Sequence, residues 1–361
     1  MKKSKNEWTL VDYVQVKQHE NHQPFIDSGK IIAGFLAVLL TALSALKYYE
    51  WPIDSINMVA LTWLHIIGTA CVPLFLLCTG YLMIYKPVTF RYYYQLLYFL
   101  INYWCLGLFI RLTECIIEGK TFHLWQSIVD IFNYSVSPYA WYIELYIGLY
   151  LLIPLLNHMW NYSRQQQEHV LILIVFFTLC CVPSIVNVYD KIFPTYFQSM
   201  YPIFYYFLGA YYRTDIDGTK READFLRRGP AMVFGISLIS LIQNVMLLYD
   251  VKFEERIFNQ YFSYPACFIA IGIFLMCKKY RHNLKLVKIN KYVNKFVLWI
   301  VVGSSVVSIP VFNWLNEKSH ISSLNVFVVL GAAITVFILA TILYSVMYYI
   351  LIKFILRKRK E

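Results

Sequence analysis

The chain has 361 residues, of which 59% are apolar or aromatic and 15% are charged, with a mean hydropathy of +0.53. A soluble domain carries about 45–50% apolar and about 25% charged residues, so charge is too sparse here to solvate a globule of this size. The 18% Phe, Trp and Tyr excludes disorder and the 8 Cys are too few for a disulfide scaffold, which leaves an integral membrane protein.

A bilayer core of about 30 Å needs roughly 20 apolar residues per helix, and only helices or closed barrels cross it. Residues 1–29 are polar, contain Glu7, Asp12, Glu20 and Asp27, and lack the hydrophobic core of a cleavable signal. They read as a cytoplasmic arm. Ten spans follow, at about 31–49, 58–85, 92–110, 140–160, 170–188, 195–212, 229–249, 261–277, 296–315 and 323–352. Residues 30–355 thus form one membrane domain, closed by a basic tail at 356–361. Strand-like alternation over about ten residues is absent, which argues against a barrel. The expected fold is an all-α polytopic bundle of about ten transmembrane helices.

The loops test the orientation. With a cytoplasmic amino terminus, the outer side holds only Lys47, Arg111, Lys120, Lys191, Lys252, Arg256 and Lys318, and the rest of the 32 Lys and Arg fall inside. This asymmetry is the positive-inside rule and puts both termini in the cytoplasm. It also accounts for the net charge of +11, so nucleic-acid binding is not inferred. A smaller share of the excess is open to anionic headgroups or an anionic cytoplasmic donor such as a coenzyme A thioester.

Within the outer loop, Phe122, Leu124, Trp125, Ile128, Val129, Ile131 and Phe132 alternate with polar residues, as in a helix on the outer leaflet or a lid over a cavity. Most Cys fall inside spans as small apolar packing, with no CxxC, and no His pairs with a carboxylate at helical spacing, so no metal site is expected. Nor is there a phosphate-cradling Gly-rich loop or a nucleophile elbow.

The most informative stretch is Trp141 to Asn157. Tyr142, Tyr146 and Tyr150 recur at i, i+4 and i+8 and share a helix face, while Trp141, Glu144 and Gly148 line another. A carboxylate inside a span is costly unless paired, hydrated or protonated. Glu144 therefore marks either a wet, proton-handling site or a hydrogen-bonded staple between helices. His65 is the one His read as lying inside the hydrocarbon core, and it too is open to a base role or a structural one.

The run Trp141-Tyr142, then Gly148-Leu-Tyr-Leu-Leu-Ile-Pro-Leu-Leu156, resembles the bacterial acyltransferase-3 family of ten-helix membrane proteins. Val72-Pro73-Leu74-Phe75 leading to Thr79-Gly80-Tyr81-Leu82 is similar to a second family segment, and Phe207-Leu208-Gly209-Ala210-Tyr211-Tyr212 to a third. In order and spacing these cover about residues 27–355. The resemblance aligns the family's basic residue at the foot of the first span with Lys30 and its essential His with Thr41. It aligns a further Arg with Thr69, and a second His falls near Gly303. Eleven residues of helix rise about 16 Å, so Thr41 lies deep in the membrane, and a threonine hydroxyl cannot replace imidazole as a base near neutral pH.

What the resemblance implies is an O-acyltransferase in the bacterial cytoplasmic membrane. It would acylate a cell-envelope polysaccharide or lipid-linked sugar, using a thioester donor of the acetyl-coenzyme A type as substrate and no bound cofactor. The donor is expected near Lys30, Arg91 and Arg213, the acceptor near Trp141, Tyr142 and Tyr146, and the base is His65 or Glu144. Two other readings stay open: a carrier or flippase on the same scaffold, and a catalytically silent partner of polysaccharide-assembly proteins.

Overall fold

The computed structural model describes residues 23–87, 89–119, 121–163, 165–249, 259–279, 284–318 and 326–358. Residues 1–22 of the expected arm at 1–29 and residues 359–361 of the expected tail at 356–361 lie outside them, whereas residues 24–29 form the first turns of a helix. Every regular element described is a helix, apart from one isolated bridge between Ile53 and Tyr249. With no water in the hydrocarbon core, each backbone N–H must find its carbonyl within its own segment, and a helix does this.

In chain order the helices are α1 (Pro24–Ala45), α2 (Ile56–Gly68), α3 (Cys71–Met83), α4 (Phe90–Glu118), α5 (Leu124–Phe132), α6 (Trp141–Tyr162) and α7 (Gln166–Cys180). They continue as α8 (Tyr201–Tyr211), α9 (Lys220–Leu248), α10 (Tyr264–Lys279), α11 (Leu284–Asn294), α12 (Val297–Lys318) and α13 (Val326–Lys358). Pro24 opens α1 at a position where a missing N–H costs nothing. The Ser55 side chain accepts from Met58 N at 3.3 Å and so caps α2. Gly119 ends α4 at φ +65°, a left-handed conformation.

Eight segments among the described residues are long and apolar enough to cross a membrane. The protein is an all-helical, multi-pass membrane bundle. The expected spans at 195–212 and 261–277 contain the shorter helices α8 and α10, of 11 and 16 residues, with most of their side chains buried. The expected span 58–85 is not one straight helix: it breaks at Thr69 and Ala70 into α2 and α3. Pro73 has no N–H to give the Thr69 carbonyl, which accounts for the break.

Burial separates inner from outer helices. The span covering α2 and α3 is 89% buried and α1 is 67% buried, whereas α4, α7 and α9 are 28% and α13 is 22% buried. The outer helices turn apolar side chains outward as lipid-facing helices do, while α7 and α9 keep buried polar groups such as His169 and Asn244 on their inner faces. Cys105, expected inside the packing, is exposed on α4 instead.

Two glycines lock the centre. A Cβ on Gly80 of α3 would lie 2.0 Å from the Tyr206 carbonyl oxygen, and one on Gly209 of α8 would lie 2.1 Å from the Leu77 carbonyl oxygen. The two backbones touch directly, as small residues allow between membrane helices. On the α6 side, Asn157 Nδ2 donates to Met83 O at 2.9 Å and Tyr206 Oη donates to Asn157 Oδ1.

The amphipathic piece of the long loop is helix α5. Arg111 of α4 pairs with its Asp130 at 2.9 Å, and Tyr103 Oη donates to Ile131 O at 3.1 Å. Leu124, Trp125 and Phe132 remain exposed. The loop after α5 carries Pro138 and Tyr139 back to the bundle.

Candidate functional site

A cavity of about 170 Å³ opens at the end of the bundle where α1 finishes. Its walls come from α1 (Leu40, Thr41, Leu43, Ser44), the turn after it (Tyr48, Tyr49), α2 and the break (His65, Thr69), the lid loop (Pro138, Tyr139) and the entry to α10 (Asn259, Gln260, Tyr261). The volume suits part of a sugar ring or a short acyl group, and the aromatic and amide lining suits a hydroxylated ligand.

Thr41 of α1 thus shares one space with His65 and Thr69, which lie one turn apart at the end of α2. Both threonine hydroxyls donate to their own helix, Thr41 Oγ1 to Ala37 O at 3.1 Å and Thr69 Oγ1 to Ile66 O at 2.7 Å. Their protons are spent, and they face the cavity as acceptors. His65 is the one imidazole on the wall. Tyr48 stacks against its ring and is itself anchored: Tyr48 Oη lies 2.9 Å from Thr62 Oγ1, which donates to Met58 O at 2.7 Å. At the lid, burial beside Tyr261 and Cys71 pushes Tyr139 well above the ordinary phenol value, so its hydroxyl stays protonated.

A scan against protein families finds that the family model described as an acyltransferase domain, of the acyltransferase-3 type, matches residues 23–350. The chain belongs to the acyltransferase-3 family. No curated protein and no solved structure matches it. The protein is therefore a membrane acyltransferase, and Thr41 and Thr69 line the same cavity as His65.

The other expected site residues of this acyltransferase distribute unevenly. Glu144 is exposed on α6 and does not line the cavity, so of the two expected proton-handling groups only His65 does. Its charge acts on Tyr134 in the lid loop, whose pKa is raised first by burial and then by Glu144. Trp141, Tyr142 and Tyr146 also lie off the cavity wall. Trp141 supports the wall from behind, its ring 5.5 Å from Tyr261 and 6.4 Å from Tyr139. Tyr142 is buried against Phe75, and the expected ladder continues through Tyr146 and Tyr150 with ring separations of 6.4 and 5.9 Å.

The expected donor-side cations lie toward the opposite end. Lys30 sits in α1 beside Asp27 and Cys78. Arg213 donates to Tyr81 Oη at 2.9 Å and lies over its ring, and Tyr81 donates to Asp217. Asp217 also binds Lys278, which is 4% exposed and lies 2.9 Å from Glu222. Arg91 is in the first turn of α4, but its side chain lies outside the described residues.

Sequence reasoning passed over His169. Its Nδ1 lies 2.9 Å from Asp215, its Nε2 lies 3.1 Å from Trp160 O, and its ring stacks on Trp160 at 4.0 Å. Both ring nitrogens thus face the protein's own acceptors, which hold the ring between α6 and the turn that carries Asp215. Asp215 belongs to a single π turn, Tyr212–Ile216, and is 46 residues away in sequence, beyond any local pattern. Among the described residues no cluster of His, Cys, Asp and Glu could hold a metal ion.

Proposed function

We propose that this acyltransferase moves an acetyl or similarly short acyl group from a cytoplasmic coenzyme A thioester to a hydroxyl of a cell-envelope polysaccharide or lipid-linked sugar, with His65 as the general base. The supporting observation is that His65 lines the same cavity as Thr41 and Thr69, the positions that align with the family's His and Arg. The imidazole has changed helix but not cavity.

The chemistry follows from acyl transfer. The acceptor hydroxyl oxygen bonds to the thioester carbonyl carbon, and the carbon–sulfur bond breaks. Imidazole takes the hydroxyl proton and returns it to the departing thiolate, so atoms and charge balance. A thioester bears its negative charge on the nucleotide end, and the cations Lys30 and Arg213 lie on the side from which it would arrive. In this reading α1 finishes at the outer face, both termini are cytoplasmic, and the membrane is the bacterial cytoplasmic membrane, with polysaccharide-assembly proteins as neighbours. Trp141 acts indirectly, by packing behind the tyrosines that meet the sugar.

Mass measurement of surface polysaccharide from cells with and without the protein tests this. An acyl increment present only with the protein, and lost with His65→Gln, is the expected result. An unchanged polysaccharide mass overturns the acceptor, and undiminished transfer by His65→Gln overturns the base.

A further inference from the structure

Asn259 belongs to the cavity wall, and a chain of one-way hydrogen bonds fixes the orientation of its amide. The Ser240 carbonyl can only accept, so the group 2.8 Å from it is Asn244 Nδ2. Asn244 Oδ1 then accepts from Asn259 Nδ2 at 2.9 Å, while Asn244 Nδ2 also donates to Asn259 Oδ1 at 3.3 Å. Both N–H groups of Asn244 and one of Asn259 are engaged. The second N–H of Asn259 and a lone pair on its Oδ1 have no other hydrogen bond among the described residues. Asn244 is fully buried, whereas Asn259 keeps 5% of its surface and lines the cavity.

The segment that follows Asn259 is held at two points. Tyr205 Oη donates to Tyr261 O at 2.8 Å, and Tyr264 Oη to Gln243 Oε1 at 2.8 Å. A structural staple would turn both amides away from open space. In this pair Asn244 is buried completely, while Asn259 is held by it on the cavity wall.

We propose that Asn259 is a specificity-determining residue for the acyl acceptor, reading one hydroxyl that both gives and takes a hydrogen bond, and that Asn244 is the positioning residue that holds it. An ether oxygen can only accept and a deoxy carbon does neither, so acceptors altered at the hydroxyl read by Asn259 are discriminated against. A site built around a hydroxyl rejects the analogue lacking it because its own polar group is left unpaired. The proposal rests on the acceptor occupying this cavity, as in the function proposed above.

The test uses the full chain in lipid vesicles with acetyl-coenzyme A as donor. The acceptors are methyl glycosides of a hexose and an N-acetylhexosamine, each with its monodeoxy and mono-O-methyl analogues. The wild type is expected to discriminate at one ring position by about ten-fold, the worth of one hydrogen bond. Asn259→Ala, and Asn259→Ser as a gentler second variant, raise the acceptor KM about ten-fold and flatten that discrimination. The KM for acetyl-coenzyme A stays unchanged. Asn244→Ala gives a smaller effect in the same direction and adds nothing to Asn259→Ala.

Discrimination that persists in both folded Asn259 variants overturns the proposal. His65→Gln separates it from the reading beneath: full kcat with that variant removes the base and leaves Asn259 standing. A wild type that hydrolyses acetyl-coenzyme A and acylates no glycoside overturns both.

Discussion

Tyr48 lies over His65 with ring centroids 5.7 Å apart and planes 28° apart, and it is buried to 1% exposure. The stack holds the imidazole by its face, and the hydroxyl bond to Thr62 holds Tyr48 in turn. Removing each in steps separates the two. Tyr48→Phe keeps the stack and is expected to lower kcat about two-fold, whereas Tyr48→Ala lowers it about ten-fold or more because an unsupported ring leaves the reactive geometry. The truncation also destabilises the fold by about 3 kcal/mol. Initial rates and melting curves on the same vesicle preparation check both effects. A kcat for Tyr48→Ala equal to that of wild type removes the positioning role.

Because Thr41 and His65 share a cavity, a base ought to be transferable between them. His65→Gln is expected to lose about 100-fold or more in rate, within the range for loss of a general base. Adding Thr41→His to that variant is expected to recover about ten-fold of the loss. Recovery is not expected from a His placed at Ser308, a fully buried position of α12 off the cavity wall. The activity of the three variants, measured side by side, decides it.

Gly80 and Gly209 predict the largest stability losses. A methyl group 2.0–2.1 Å from a carbonyl oxygen has nowhere to go, since the obstacle is backbone rather than a flexible side chain. Gly80→Ala and Gly209→Ala are each expected to cost 3 kcal/mol or more, beyond the range of about 1–3 kcal/mol for ordinary overpacking. The readout is the yield of monodisperse protein and its melting temperature. A variant that melts like wild type would mean that α3 and α8 separate easily.

Lys278 predicts a loss of another kind. Its ammonium is 4% exposed and faces both Asp217 and Glu222, each 22% exposed. Lys278→Met leaves two carboxylates without their cation and is expected to cost about 3 kcal/mol. Lys278→Arg recovers part of it. Thermal melts at pH 7 give the order wild type, Arg, Met, and any other order contradicts the ion network.

Arg111 links α4 to the lid through Asp130 at 2.9 Å, is steadied on its own helix by Glu114 at 2.9 Å, and has a side chain 26% exposed. Partly exposed pairs contribute about 1 kcal/mol or less, so Arg111→Ala loosens the lid without unfolding the bundle. Hydrogen exchange over 124–139 is expected to quicken several-fold while α3 and α8 stay protected. Unchanged exchange in the lid segment would show that Tyr103 and the apolar contacts of Ile131 suffice to hold it.

The helices were readable because a bilayer imposes length and apolarity on each crossing, and Pro73 was visible where the second span breaks. His65 stood out for the same reason, as a titratable ring in an apolar run. The cavity wall was not readable. Asn259, Tyr261, Pro138 and Tyr139 sit in connections whose sequences carry no period, and they meet His65 only through long-range packing. Asn244 follows Ser237 and Ser240 at helical spacing, a buried polar stripe on α9 that a closer reading of that span could have found. Glu144 stood out as a carboxylate in a span, but spacing along one helix does not say which neighbours its side chain meets, and it is exposed in the first turn of α6, off the cavity wall.

The direct backbone contact between α3 and α8 gives the molecule a rigid spine, since neither helix can slide or rotate without driving a carbonyl into a Cα. Any motion that admits donor and acceptor from opposite sides must therefore hinge at the periphery, where the less buried helices α4, α7 and α9 meet lipid. Spin labels placed across α3 and α8 would keep one fixed separation through the catalytic cycle, and labels spanning α4 and α9 would not.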